Sequence, residues 1–127
     1  MRKRLEKKWR RKFCMKIIDT KIPIIELEKT AKELFGHMVK AVVDVEEKIM
    51  AVGGELHSDE ESLLLENGSR QQNLWGINIY IEIKDENWIE FDSMINLRPS
   101  QGNRSRGVDD PEIRKQIIEI VNNLIEK

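Results

Sequence analysis

The segment from Arg98 to Gly107 has the residue types of an anion-binding loop. It carries three arginines and two glycines, and no acidic residue occurs between positions 93 and 108. A guanidinium group presents a planar fork of donors that fits phosphate or carboxylate, and glycines let backbone amides approach a ligand. The sequence therefore predicts a binding module for a phosphate-bearing or other anionic ligand, with donors from Arg98, Gln101, Asn103, Arg104 and Arg106.

The same arginines also have a purely internal interpretation. Carboxylates lie on both sides of the loop, at Glu90 and Asp92 before it and at Asp109 and Asp110 after it. Ion pairs with these groups would brace the loop and leave no donor for a ligand. The glycine spacing matches neither a P-loop nor a dinucleotide fingerprint, so it does not decide between the two interpretations.

Two groups of acidic residues are candidate ligands for a divalent metal. Oxygen ligands of this kind suit magnesium or calcium, whereas two histidines are too few for a His-rich zinc site within one chain. Such an ion would make the protein a metal-assisted phosphate-ester hydrolase, in which the arginines stabilise the developing charge. The alternatives are a solvated sheet face and the start of a helix. The candidate residues are Glu90 and Asp92 in one group and Glu55, His57 and Asp59 in the other.

The elements that must position these residues are strands interleaved with helices. Alternating apolar residues predict strands at 16–22, 39–46, 48–52, 74–83 and 88–97. Helical spacing of apolar residues predicts one helix after Pro23 and another after Asp110. Asp110 is a typical N-cap residue, and the proline that follows it suits the first position of a helix. A shorter helix is predicted from Ser58, which forms a capping box with Glu61. The alternative is a strand from Leu63 to Glu66 that is followed by an Asn-Gly turn.

This order of elements predicts an α+β fold for residues 15–127, as a single domain. A mostly antiparallel sheet is expected, because the strands at 74–83 and 88–97 each have one apolar and one polar face. Two main helices, and the candidate short third, are expected to pack on one face of that sheet.

Charge is distributed unevenly along the chain, whose formal net charge is −1. Residues 1–14 carry eight basic side chains against Glu6 alone, whereas the rest of the chain carries 14 basic and 22 acidic residues. A basic arm of this kind could contact the phosphates of nucleic acid or anionic lipid. The alternatives are a disordered tail and an artefact of a start site upstream of Met15. Nucleic acid is therefore a predicted partner only if the arm is natural.

The cysteine content indicates a cellular compartment, and the chain length suggests a further candidate function. The single cysteine, Cys14, cannot form an internal disulfide, which favours a cytoplasmic location. No apolar run approaches the roughly 18 residues that span a bilayer. No nucleophile-elbow motif of a serine hydrolase is present. A chain of 127 residues can complete its core by dimerising, so a self-associating interaction protein is a third candidate.

Three passages of the chain resemble a family of short prokaryotic proteins known only as a domain of unknown function. The passages begin at Leu34, Leu63 and Trp88 and read LFGHMVKAVVDVE, LLLENGSRQQNLWGINIY and, in its most specific part, INLRPSQGNRSRGVDDPEIR. The similarity runs from about Met15 to the C-terminus and leaves the basic arm outside. The resemblance implies no activity, cofactor or catalytic residue.

Overall fold

Short strands and three helices make up the part of the chain that the structure describes. The computed structural model describes residues 15–127, so the predicted basic arm at 1–14 lies outside the described residues. The strands are β1 Lys16–Ile18, β2 Ile22–Pro23, β3 Met38–Asp44, β4 Ile49–Val52, β5 Leu74–Tyr80, β6 Ile89–Glu90 and β7 Ile125–Glu126. The helices are α1 Ile24–Glu33, α2 His57–Glu66 and α3 Pro111–Leu124.

Five of these strands form an antiparallel sheet in the order β1-β4-β3-β5-β6. Strand β3 lies at the centre and pairs along its whole length with β5, with Val42 opposite Gly76. The strands predicted at 39–46 and 48–52 correspond to β3 and β4, which form an antiparallel hairpin with Lys48 at a positive φ of 59° in its turn. The predicted α+β fold with a mostly antiparallel sheet is therefore confirmed.

Helices α1 and α3 cover one face of the sheet, as the sequence predicts. Leu27 of α1 and Ile117 of α3 are fully buried against alternate residues of the central strands, such as Val43. A short parallel pairing of β2 with β7 sets Ile22 opposite Ile125. This pairing ties the beginning of α1 to the end of α3. Among residues 15–127, no helix is both long and apolar enough to cross a membrane.

Helix α2 packs on the opposite face, where the sequence expectation placed no helix. Leu64 of α2 is fully buried with Val42, Ala51 and Leu74, which point away from α1 and α3. Strands β3, β4 and β5 thus carry apolar side chains on both faces over part of their length. Apolar side chains on both faces of these strands must be buried. The third helix therefore packs on the face that α1 and α3 leave uncovered.

The predicted strand at 88–97 is paired only over Ile89–Glu90. Beyond it, the side chain of Asn96 replaces a backbone partner: its Oδ1 accepts from Gly76 N at 2.8 Å and its Nδ2 donates to Gly76 O at 2.9 Å. The segment approaches β5 so closely that a Cβ on Gly76 would lie 2.5 Å from the Cβ of Ser93. Side-chain pairing therefore ends the strand early.

The predicted capping box at Ser58 is wrong. Helix α2 begins at His57 with Leu56 as its N-cap, and no described side chain caps that end. The neighbouring Glu60 instead turns inward, where its Oε2 accepts from Gly54 N at 2.9 Å. Its Oε1 is buried and has no hydrogen-bond partner among residues 15–127. Burial raises the pKa of Glu60 well above 4.5, although the Gly54 N–H acts in the opposite direction.

Replacing Glu60 with glutamine is expected to stabilise the protein above neutral pH. Since the folded-state pKa is raised, stability from the protonated acid is complete below 4.5 and is lost as the pH rises through the folded value. Glutamine stays neutral and still accepts from Gly54 N. Urea unfolding should show a gain on the order of 1 kcal/mol at pH 8 that disappears near pH 4. Glu66→Gln, on the exposed end of the same helix, is the control. If the free energies of unfolding of Glu60→Gln and of the unmodified protein depended on pH in the same way, the expectation would be contradicted.

Candidate functional site

Much of the predicted loop is folded around the side chain of Asn103, which is only 4% exposed. Its Nδ2 donates to Asn96 O and to Gly107 O, both at 2.8 Å. Its Oδ1 accepts from Asp109 N at 2.8 Å. An amide that spends both its donor and its acceptor groups on the backbone organises the loop rather than reaching outward.

Arg98 and Gln101 are also turned toward the protein. The Arg98 guanidinium donates to Gln71 O and, at 2.8 Å, to Leu74 O, and it lies 4.2 Å from the ring centre of Trp75. Gln101 Nε2 donates to a backbone carbonyl at position 72, at 2.7 Å. These contacts fasten the loop to the segment that precedes β5.

The acidic residues after the loop satisfy nearby backbone groups. Asp109 accepts from Arg104 N at 2.8 Å and from the Ser105 hydroxyl, and both contacts lower the pKa of Asp109. Asp110 caps helix α3 as predicted, accepting from Glu112 N at 2.9 Å. The start of α3 therefore does not face a ligand site. Arg104 itself is exposed, and its guanidinium makes no hydrogen bond to any described residue.

Arg106 leaves the other loop residues and reaches a different surface. Its Nε lies 2.8 Å from Asp92 Oδ1. Both residues line a cleft of about 280 Å³ between the open part of the sheet and the beginning of helix α2. We call this the α2 cleft, and its polar residues are Lys40, His57, Ser58, Asn78, Asp92, Ser93 and Arg106. Of the five predicted anion-binding residues, Arg106 lines this cleft and the other four do not.

A cross-strand row of three polar residues runs along the α2 cleft, which two of them, Lys40 and Asn78, line. Lys40 of β3 lies opposite Asn78 of β5, which lies opposite Glu90 of β6. Opposed residues on neighbouring strands are close enough for direct side-chain contact. Asn78 Nδ2 donates to Glu90 Oε1 at 2.9 Å and to Asp92 O at 3.4 Å. Asn78 Oδ1 is buried and receives no hydrogen bond from the described part of the chain.

The beginning of helix α2 opens into the cleft through Leu56, His57 and Ser58. The first N–H groups of a helix lack intrahelical partners and carry a partial positive charge. No described side chain accepts from them at this helix. Asp110 caps α3, whereas α1 and α2 both begin without a side-chain cap from any described residue. Of these two uncapped starts, that of α2 borders the cleft that Lys40 and Arg106 line, and an anion can bind there.

His57 is buried beside the cations of the cleft. Its ring Nε2 lies 2.8 Å from Ile77 O, so this nitrogen carries the proton and Nδ1 is the acceptor in the neutral ring. Burial lowers the pKa of His57 below 6.5, and the charges of Lys40 and Arg106 lower it further. The Ile77 carbonyl and the Asp92 carboxylate oppose this change. A neutral imidazole is therefore expected at pH 7.

The structure separates the candidate metal ligands. His57 faces the sheet, whereas Glu55 and Asp59 line a second depression on the other side of the start of α2. Helical geometry from position 57 onward explains this, because alternate residues of a helix do not share a face. Glu90 accepts from Asn78, and Asp92 pairs with Arg106. Within residues 15–127, no three His, Cys, Asp or Glu side chains are grouped so that they could hold a metal ion.

Sequence reasoning missed Lys40, Ser58 and Asn78 as site residues. The alternating pattern of β5 put Asn78 on the polar face, which is where the structure has it. Lys40 belongs beside Asn78 only because of the β3–β5 register. No local pattern in the sequence indicates that register. Ser58 was assigned to a capping role that it does not have.

Comparison with known proteins supports the resemblance and adds no activity. A sequence profile of the family described as "Protein of unknown function (DUF5674)" matches residues 16–124. No curated protein and no solved structure matches the chain.

Truncating Asn103 is expected to cost far more stability than truncating its neighbour. Asn103→Ala removes three short hydrogen bonds and leaves buried backbone groups unpaired, at a cost of about 2–4 kcal/mol in the free energy of unfolding. Arg104→Ala should change that energy by less than about 0.5 kcal/mol, because its guanidinium is exposed. Urea denaturation measures both, and equal effects would show that the loop is not organised by the amide.

The imidazole of His57 is expected to titrate with a midpoint below pH 6.5. NMR of the ring signals as a function of pH measures this midpoint. Because the unfolded imidazole binds its proton more tightly, burial of His57 costs stability as the pH falls below 6.5. Lys40→Ala and Arg106→Ala should each raise the midpoint, and Asp92→Asn should lower it. A midpoint at or above 6.5 in the unmodified protein would contradict the burial of a neutral ring.

Proposed function

The chain belongs to the DUF5674 family, and we propose that it is a binding module for a small anionic ligand, held in the α2 cleft. The main support for this proposal is that the uncapped start of helix α2 borders the same cleft as Lys40 and Arg106. The ligand class is the one indicated by the arginine-rich loop. The location differs, since only Arg106 of that loop takes part.

Each of these groups favours an anion for a known physical reason. A helix start contributes about 0.3–1 kcal/mol toward a bound anion, and a hydrogen bond to a charged group about 1.5–3 kcal/mol. Lys40 also lies 5.5 Å from the ring centre of Phe35, a contact that leaves its ammonium donors available. A few contributions of this size, less the entropy of binding, correspond to dissociation constants in roughly the millimolar to micromolar range.

The ion pair of Arg106 with Asp92 does not close the site. Both side chains are about half exposed, at 56% and 43%, and exposed pairs of this kind contribute about 0–1 kcal/mol. The contact with Asp92 uses the Nε of Arg106. A guanidinium has five N–H donors, so this half-exposed side chain can also donate to a ligand.

Arg106→Ala is expected to weaken anion binding at least tenfold, because it removes a charged donor from the cleft. Arg104→Ala is the matched control, since it deletes the same side chain two positions away, outside the cleft. Acetate and inorganic phosphate serve as probes, with amide chemical shifts of Ser58 and Asn78 measured during titration. Loss of binding in Arg104→Ala but not in Arg106→Ala would return the site to the exposed loop. No shift with any anion would overturn the proposal.

Self-association stays a prediction, and size-exclusion chromatography at two protein concentrations tests it. The metal-assisted hydrolase is not proposed here, because the described residues do not group the necessary ligands.

A further inference from the structure

Charges of both signs surround the α2 cleft. Lys40 and Arg106 are the cations of its lining and Asp92 is its carboxylate, while Glu90 lies just outside the lining, opposite Asn78. An anion with two charges, such as a phosphate monoester, would therefore meet carboxylates as well as cations. A site with both a positive and a negative side suits a ligand that carries both charges.

The negative side includes an acceptor that lacks a donor. Asn78 is only 7% exposed, and its Oδ1 has no partner within the described residues. Its orientation is determined by Nδ2, which contacts Glu90 Oε1 and Asp92 O. Rotating the amide would place Oδ1 against those two acceptors, so the oxygen must stay where it is. A carbonyl oxygen that no donor satisfies adds negative potential to this side of the cleft, and that potential favours a positively charged group nearby.

We infer that the ligand is a zwitterion of the size of a free α-amino acid. This inference rests on the proposed function, since its carboxylate is the anion at the start of α2 and beside Lys40. Its ammonium group pairs with the carboxylate of Asp92, on the side of the cleft where Asn78 Oδ1 lacks a donor from the described residues. An apolar side chain of the ligand would contact Met38, Leu56, Met94 and Ile95, which also line the cleft.

Arg106 has a positioning role in this arrangement. Its Nε contact fixes one carboxylate oxygen of Asp92 at 2.8 Å and leaves the other oxygen for the ammonium group. Arg106 lines the cleft together with Lys40 and adds to its positive side. One arginine therefore orients the acceptor for the ammonium and supports the carboxylate.

A matched ligand series tests the inference by calorimetry on the full chain. Norvaline has both charges, valerate lacks the amine, and butylamine lacks the carboxylate, while the hydrocarbon part is nearly constant. Norvaline is expected to bind at least tenfold more tightly than valerate, butylamine or inorganic phosphate. Valerate or phosphate binding as tightly as norvaline would overturn the zwitterion but leave the anion-binding function standing. Failure of norvaline, valerate, acetate and phosphate alike would overturn both.

The variant Asp92→Asn provides a second test of the inference. The residue is exposed enough for the variant to fold. The change removes the negative charge of Asp92 from the cleft, so valerate should bind as tightly as before or more tightly. The ratio of norvaline affinity to valerate affinity should fall at least fivefold. A merely structural role would weaken both ligands together, and that result would count against the inference. Asp19→Asn, an exposed acid beside strand β1 and away from the cleft, is the matched control and should change neither affinity.

Discussion

The pairing of the Asn96 side chain with the peptide groups of Gly76 decides how the C-terminal half of the chain is arranged. The amide does what another strand would do, because it satisfies both the N–H and the C=O of one β5 residue. Its Nδ2 also donates to Arg106 O at 2.9 Å, which holds the returning loop against the same point. Without this contact, Gly76 would keep two buried polar groups without partners, each costing about 1–3 kcal/mol. The chain therefore leaves the sheet after Glu90 and comes back with Arg106 beside the cleft.

The three arginines of the predicted loop have different fates because the loop is organised from inside. Arg98 is directed inward, where it binds backbone carbonyls and stacks on Trp75. Arg104 extends outward, while its backbone N–H is held by Asp109. Arg106 pairs with Asp92 across the open face of the sheet. A cluster of like charges in the sequence thus becomes a brace, an exposed charge and a cleft residue.

Several unfavourable features coincide at the α2 cleft. Helix α2 begins without a side-chain cap among the described residues, His57 is buried as a neutral ring, and Asn78 keeps an unpaired oxygen. Each feature costs stability by itself, and folded proteins pair such groups almost everywhere. Departures from local consistency are expected to concentrate at functional sites, where a ligand supplies the missing partner. This coincidence is why we propose that the ligand binds at the open part of the sheet beside α2.

The sequence alone determined the class of the fold, the family, helices α1 and α3 and the capping role of Asp110, because apolar periodicity and cap residues act locally. It also identified the Arg98–Gly107 loop and Asn78 as a polar position. Only the tertiary structure decided which face α2 covers, how far the strand after Trp88 is paired and which arginine reaches a cleft. These depend on the register that sets Lys40 opposite Asn78 and on an asparagine that substitutes for a strand. Both are contacts between residues distant in the chain, which no local pattern of residue types records.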